Sequence, residues 1–242
     1  MFLKKKSKSP LNHEDRADGV EPSIIIMHYT GMETMLAARE RLSDPESKVS
    51  AHYLVDTDGT LYDLVPEDKR AWHAGLSYWH GETDINSCSI GIEIVNPGHE
   101  FGYKPFPSAQ MQTVMELGRA IKTRHDIKYV LGHSDIAPER KKDPGELFPW
   151  EWLAGQGVGM WPRPMAEDIK MAEEIACNDY QVERLFTQLG YNPMAAYMDV
   201  LTAFHRHYAP EKFEKGEEEK ADMETVIRLV ALIRQSGETP AF

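Results

Sequence analysis

The chain has 242 residues, of which 41% are hydrophobic, so it is long enough for one domain of about 150 residues and a smaller unit, with a real buried core. Its formal net charge of -12 at pH 7 argues against nucleic acid or an anionic membrane surface as a partner, because both are bound through an excess of Lys and Arg. No stretch approaches the ~20 apolar residues of a transmembrane segment, and the distant cysteines Cys88 and Cys177 are predicted to be buried free thiols rather than a disulfide framework.

The N-terminal residues 1–20 are polar and are predicted to be a flexible arm ahead of the fold. The first residues are basic, but residues 7–21 contain no apolar run that could serve as the core of a signal peptide. A cytoplasmic location is therefore expected.

Three short apolar stretches predict the strands of a buried sheet. Residues 23–30 read SIIIMHYT, which is too short for a helix and apolar on both faces, as in a central strand covered by helices on each side. Residues 89–96, SIGIEIVN, and residues 129–133, YVLGH, are two further strands. His28 and His133 stand at the C-terminal ends of their strands, where open α/β sheets commonly place their chemistry.

Glu93 places a carboxylate in an otherwise apolar strand, where burial is costly without a positive partner or a chemical role. A structural salt bridge and a catalytic carboxylate are both open interpretations. The alternative for His28 is a core histidine that is satisfied by a neighbour. His52 lies in a β-hairpin predicted for residues 49–65 and is interpreted as a strand residue near the site rather than as a ligand.

The order of the remaining elements predicts the architecture. Apolar periodicity favours helices over residues 33–42 and 108–125. Strands that alternate with helices predict an α/β fold with a central mixed β-sheet flanked by helices, here over residues 21–153. Residues 154–165, rich in Trp, Gly and Pro, are predicted to be a linker, and residues 166–242 a small C-terminal three-helix domain.

Residues 132–145, GHSDIAPERKKDPG, resemble half of a metal site. His133 offers an imidazole nitrogen and Asp143 a carboxylate oxygen, both good zinc ligands, and the prolines make the segment a shaped loop. Because a catalytic zinc usually takes three protein ligands and leaves a position for water, a third ligand is needed. His28, at the end of the first core strand, is the candidate.

The segments VSAHYLVDTDGTLYDLVPEDKRAWHAG, SIGIEIVN and GHSDIAPERKKDPG, which follow the IIIMHYT strand, together closely resemble the zinc N-acetylmuramoyl-L-alanine amidases related to peptidoglycan recognition proteins. The resemblance covers about residues 24–152, and it is specific because four separated motifs fall in the right order. It implies one Zn²⁺ per chain, held by His28, His133 and Asp143. It also implies that Glu93 is the general base and that Lys141 stabilises the developing oxyanion.

The substrate that the resemblance implies is peptidoglycan or a muropeptide fragment, cut between N-acetylmuramic acid, or its anhydro form, and L-alanine. Trp72 and His73, in the WHAG segment, and Asn86 are expected to line the substrate cleft, and Lys142 is expected to point away from it. Two other functions stay open: a module that binds muropeptides without cutting them, and a zinc peptidase that acts within the stem peptide, although no HExxH motif is present.

The C-terminal residues resemble, more loosely, the small helical peptidoglycan-binding domain that some of these amidases carry. Relatives with such a tail are often exported lipoproteins, so a periplasmic or cell-envelope location is the alternative to the cytoplasm, although neither a lipobox cysteine nor an apolar signal core stands in this sequence. A monomer is expected.

Overall fold

The computed structural model describes residues 4–6, 12–175 and 178–241. Within them, six strands form one sheet in the order β1-β5-β4-β7-β3-β8, and β2 pairs with β6 in a small second sheet. The strands are β1 (Lys4–Lys6), β2 (His13–Asp15), β3 (Ile24–Tyr29), β4 (Tyr53–Val55), β5 (Leu61–Asp63), β6 (Lys69–Ala71), β7 (Ser89–Ile94) and β8 (Tyr129–Gly132).

The helices lie between and after these strands. They are α1 (Met35–Ser43), α2 (Ile85–Cys88), α3 (Ser108–Arg124), α4 (His133–Ile136), α5 (Trp150–Gly155), α6 (Ala166–Ile175), α7 (Asp179–Leu189), α8 (Tyr197–Tyr208), α9 (Glu211–Lys215) and α10 (Met223–Gln235), and a 3-10 turn spans Pro45–Ser47. No helix in the described ranges is both long enough and apolar enough to cross a lipid bilayer.

The large sheet mixes parallel and antiparallel pairs. Strand β3 is parallel to both β7 and β8, β4 is parallel to β7, and the hairpin strands β4 and β5 are antiparallel. Helices cover both of its faces, so the predicted α/β fold with a central mixed sheet is confirmed. Strands that are buried on both faces need apolar side chains on both sides, and residues 24–27 of β3 are accordingly at most 2% exposed.

The side chains of β3 divide between two hydrophobic clusters, as the alternation of a strand requires. Ile25 and Met27 pack in a cluster that includes the buried side of α3 and residues of α5. Ile24 and Ile26 pack in the other cluster, whose remaining members come largely from α6, α7, α8 and α10. The C-terminal helices therefore form the second helical layer on the sheet.

The C-terminal part contains more helices than the predicted three. The predicted periodic stretches correspond to α7, α8 and α10, whereas α6 and the short α9 are additional. Helix α6 offered a weak signal, since its buried residues are Asp168, Ala172 and Ile175. The buried Asp168 is paired with Arg234 at 2.8 Å, and this is a tertiary contact that periodicity cannot indicate.

Two segments outside the predicted main domain also pack against it. In the predicted arm, β2 pairs with β6, and Arg16 donates hydrogen bonds to the carbonyls of Ser87 and Ser89, so part of the arm belongs to the folded domain. In the predicted linker, Val158 is fully buried and lies against Gly118 of α3. The domain boundaries themselves stay predictions. Cys88 is a buried free thiol, and Cys177 lies outside the described residues.

Candidate functional site

Three strand ends meet at one edge of the sheet. In the parallel register, His28 of β3 lies opposite Glu93 of β7, and Met27 lies opposite Gly132, the last residue of β8. His133 follows directly as the first residue of α4. Because parallel strands end at a common edge, the two histidines and the glutamate are brought together by strand pairing alone.

The ligand atoms of His28, His133 and Asp143 form a small, nearly equilateral triangle. The two Nδ1 atoms are 3.0 Å apart, and Asp143 Oδ2 lies 2.9 Å from the Nδ1 of His28 and 3.0 Å from the Nδ1 of His133. Zinc–ligand bonds of about 2.0–2.1 Å in a tetrahedron put ligand atoms about 3.3 Å apart. All three side chains are buried and face the same cleft, so the chemistry and spacing of this donor set would fit a zinc ion.

The second nitrogen of each histidine has a partner that leaves Nδ1 free to ligate. His133 Nε2 donates to the carbonyl of Ala74 at 3.0 Å. His28 Nε2 lies 3.0 Å from His73 Nδ1, and His73 Nε2 lies 3.3 Å from Ser89 Oγ. A chain of donors from His28 to His73 to Ser89 places the lone pair of His28 Nδ1 toward the triangle.

The surroundings of His28 and Asp143 favour the protonation states in which these side chains can bind a metal ion. Burial lowers the pKa of His28 to about 4, with a further contribution from nearby His133, so its imidazole is neutral at pH 7. Burial acts to raise the pKa of Asp143, but its contacts with His133 and His28 more than offset this and hold that pKa well below its usual range. Asp143 is therefore ionised, and the site offers the neutral nitrogen of His28 and one anionic oxygen beside the ring of His133.

His73 is held in place from two sides. Asn86 Oδ1 accepts hydrogen bonds from the backbone N–H groups of His73 and Ala74, at 3.0 and 2.8 Å. On the other side the His73 ring lies on Gly91, where an added Cβ would come 2.5 Å from the ring. Asn86 thus supports the segment behind the cleft and is not among the described residues that line it, whereas Trp72 and His73 line the cleft; their contact with substrate stays a prediction.

We expect Gly91→Ala to destabilise the protein by about 1–3 kcal/mol, because the new methyl group overlaps the His73 ring in a closely packed strand. The change should also displace His73 from His28 and so weaken metal binding. Denaturant unfolding of the metal-free protein and zinc titration measure the two effects. Gly155→Ala is the matched control, since its Cβ would meet no atom within 4 Å; equal stability of the two variants would contradict the close contact.

Glu93 lies beside the three residues of the triangle, on the neighbouring strand β7. Its Oε2 is buried and has no hydrogen-bond partner among the described residues, and the salt bridge considered as an alternative is absent from that part of the chain. Burial raises the pKa of Glu93 well above its usual range, the charge of Asp143 raises it further, and Lys141 opposes them. A carboxyl group that is placed this way can exchange a proton with a group in the cleft.

The ligands, Glu93 and Lys141 face a single cleft of about 660 Å³. Lys142 also lines this cleft, so the prediction that it points away is wrong. His52 lies outside the triangle, and its Nδ1 accepts from the backbone N–H of Gly91 at 3.0 Å.

Residues 132–146, here called the metal loop, also contain two residues whose roles the sequence did not indicate. Asp135 is 1% exposed and accepts a hydrogen bond from the backbone N–H of Gly132 at 2.7 Å. Arg140 donates to the carbonyls of Leu76 and Ala74. Ala74 is also the acceptor for His133, so Arg140 helps to fix the backbone that orients a ligand. Nothing in a charge-rich loop distinguishes these two residues from solvated ones.

Comparison with known proteins places this site in a family context. Residues 18–146 match the family model described as N-acetylmuramoyl-L-alanine amidase. The chain is 36% identical over 239 residues to the N-acetylmuramoyl-L-alanine amidase AmiD of Escherichia coli (strain K12), an alignment that covers 89% of this chain and 83% of AmiD.

Two solved structures resemble the whole fold. One is E. coli AmiD in complex with anhydro-N-acetylmuramic acid-L-Ala-D-gamma-Glu-L-Lys, with a TM-score of 0.78, 33% identity and coverage of 92% of this chain and 93% of that one. The other is AmpDh3 from Pseudomonas aeruginosa in complex with anhydromuramic pentapeptide, with a TM-score of 0.80, 29% identity and coverage of 97% and 99%. In both, the similarity extends over the C-terminal helices.

Proposed function

This chain belongs to the N-acetylmuramoyl-L-alanine amidase family, and on that premise we propose that it works as a zinc enzyme whose metal is held by His28, His133 and Asp143. It is an amidase that hydrolyses the bond between N-acetylmuramic acid, including the anhydro form, and L-alanine of the stem peptide. The observation that carries the proposal of zinc is the triangle of three buried ligand atoms 2.9–3.0 Å apart at the base of the cleft.

The residues around the triangle supply the proton transfers of amide hydrolysis. A bound zinc would act as a Lewis acid toward the scissile carbonyl and lower the pKa of water at its open position. Glu93, on the neighbouring strand, accepts the proton of the attacking water and passes it to the leaving nitrogen of L-alanine. Its unpartnered Oε2 supports this role, since no other group of the described chain competes for that atom.

Lys141 is proposed to stabilise the negative charge that develops on the carbonyl oxygen. It lines the cleft, and its charge lowers the pKa of both His28 and Glu93, which supports a position near both residues. A fixed positive charge in a partly water-excluded site stabilises an oxyanion more than the ground-state carbonyl.

The cleft also offers positive charge away from the metal ligands. Arg41 of α1 and Lys142 are exposed and line it, although the chain as a whole carries a net charge of -12. We propose that these side chains bind carboxylates of the stem peptide, and that the substrate is a soluble anhydro-muropeptide of the kind bound by the similar structures. The acidic residue Asp84, which precedes α2, forms a salt bridge with Arg70 at 2.8 Å.

Products of a defined anhydro-muropeptide test this function. Mass spectrometry should find the free stem peptide with an N-terminal L-alanine and the released anhydro-sugar acid. Cleavage within the stem peptide would indicate a zinc peptidase instead, and binding without products would indicate a recognition module. Metal-stripped protein, assayed before and after zinc is restored, is the control.

The two lysines of the metal loop provide a matched pair. We expect Lys141→Met to lower kcat by about 10²–10³-fold, the range for loss of one oxyanion donor. We expect Lys142→Met to raise KM instead, because this residue is proposed to contact a distant carboxylate. Steady-state kinetics on the same anhydro-muropeptide separate the two, and a kcat that Lys141→Met leaves intact would exclude Lys141 from the chemical step.

The predicted monomeric state and cytoplasmic location stay proposals. Sedimentation of the purified chain and fractionation of cells that express it test them.

A further inference from the structure

Helix α8 of the C-terminal layer contacts the metal loop through two adjacent side chains. His207 Nδ1 donates to Asp135 Oδ2 at 2.7 Å, and both side chains are at most 1% exposed. Arg206 Nε lies 3.5 Å from Glu146 Oε2, as an ion pair with side-chain exposures of 7% and 18%. Helix α8 thus contacts the metal loop near the beginning and at the end of the loop.

The contact between His207 and Asp135 helps to fix the backbone next to His133. Besides His207, the Asp135 carboxylate accepts hydrogen bonds from the N–H of Gly132 at 2.7 Å and from the hydroxyl of Tyr191 at 2.8 Å. The Gly132 bond closes the turn at which the chain leaves β8, one residue before the ligand. Two C-terminal side chains therefore hold the carboxylate that shapes the backbone at His133.

The contact between Arg206 and Glu146 holds the part of the metal loop that carries Asp143. Glu146 is three residues beyond this ligand and also meets His99 at 3.2 Å. Within the loop, the backbone N–H of Ser134 donates to the carbonyl of Asp143 at 3.0 Å. The two ligand segments are therefore joined to each other and tied to α8 at both ends.

The setting of His207 makes this connection rigid. Its ring is stacked between Trp150 of α5 and Tyr208, with both centroids at 3.8 Å and interplanar angles of 23° and 7°. A ring that is confined on both faces has little freedom to rotate, so its Nδ1–H stays directed at Asp135.

We propose that His207 and Arg206 are positioning residues for the metal site: the C-terminal layer holds the metal loop so that the ligand atoms of His133 and Asp143 keep the spacing that a zinc ion requires. Neither residue lines the cleft among the described residues, so they act through the loop and do not touch substrate. This inference rests on the proposed zinc site and extends it to residues about 60–70 positions beyond the ligands. Partners of this kind typically contribute 10–100-fold to metal affinity.

The test compares two histidines of the same helix in the full chain. His207→Phe keeps an aromatic ring in the stack but removes the donor to Asp135, and His207→Gln restores an N–H donor. His205→Phe is the control, because His205 is also fully buried but its hydrogen bonds within the described ranges go to the carbonyl of Glu218 and the hydroxyl of Thr225, outside the metal loop.

Zinc affinity, measured by competition with a chelator, should fall by about 10–100-fold in His207→Phe and recover in part in His207→Gln. The absorption spectrum of the cobalt(II)-substituted protein should change in His207→Phe and stay that of the wild type in His205→Phe. If His207→Phe does not fold, Tyr191→Phe, which removes a single donor to Asp135, should show a smaller loss in the same direction.

Equal affinities for wild type, His207→Phe and Tyr191→Phe would overturn the positioning role, as would an equal loss in His205→Phe. These outcomes differ from failure of the proposed function, in which the wild type itself would bind no zinc or would release no stem peptide.

Discussion

Replacing Asp143 with alanine is expected to abolish stoichiometric zinc binding. The substitution removes the one carboxylate of the triangle and leaves two imidazoles, too few for a stable zinc site. The loss of affinity should exceed the range of about 10–100-fold that is typical of residues outside the ligand set. Metal analysis of the purified protein and chelator competition measure it, and hydrolysis of the anhydro-muropeptide should be lost in parallel.

The control for Asp143→Ala is Asp126→Ala, which removes an exposed aspartate just before β8. This variant should retain one zinc per chain and the wild-type rate. The backbone carbonyl of Asp143 still accepts from Ser134 in the alanine variant, so the loop should keep its path. Full activity in a wild-type protein that contains no metal would exclude the zinc mechanism altogether.

Replacing Glu93 with glutamine has the second large effect, and it separates chemistry from metal binding. Glutamine has nearly the same shape but cannot accept the proton of the attacking water, so kcat should fall by about 10²–10⁴-fold. Zinc content should remain that of the wild type, because Glu93 is not one of the three residues that form the triangle. Stability should not fall, since the change removes a carboxylate whose buried Oε2 has no hydrogen-bond partner in the described part of the chain.

Another glutamate of the same cleft provides the control for Glu93→Gln. Glu100 is exposed and lines it, and Glu100→Gln changes the net charge by the same amount without removing the proposed base. We expect only a small change in kcat for this variant. A similar fall in both variants would assign the effect to the charge of the cleft, and an unchanged kcat in Glu93→Gln would remove Glu93 as the base.

Much of the site follows from local sequence. Apolar stretches that end in a histidine predict strands that deliver His28 and His133 to one edge of a sheet, and a carboxylate in the middle of SIGIEI is conspicuous because burial penalises it. The prolines of residues 132–145 predict an irregular loop rather than a helix around Asp143. These signals are local because strand periodicity and the cost of a buried charge both act on neighbouring residues.

Other features of the site have no local signal. The sequence could not indicate that the Nδ1 atoms of both histidines face the triangle, because that choice depends on the carbonyl of Ala74 and on the ring of His73. It also missed that Lys142 faces the cleft together with Lys141, since the direction of a side chain in an irregular loop is set by what the loop packs against.

The sequence by itself determined the central sheet and its strands and indicated the three candidate ligand residues, because each rests on a pattern of a few adjacent side chains. Only the tertiary structure decided that the C-terminal helices cover a face of that sheet and that Asp135 meets a histidine 72 residues away. An amphipathic helix shows that it must bury one face but not against which partner. A buried hydrogen bond between two side chains likewise exists only once two distant segments have been brought together by the packing of the core.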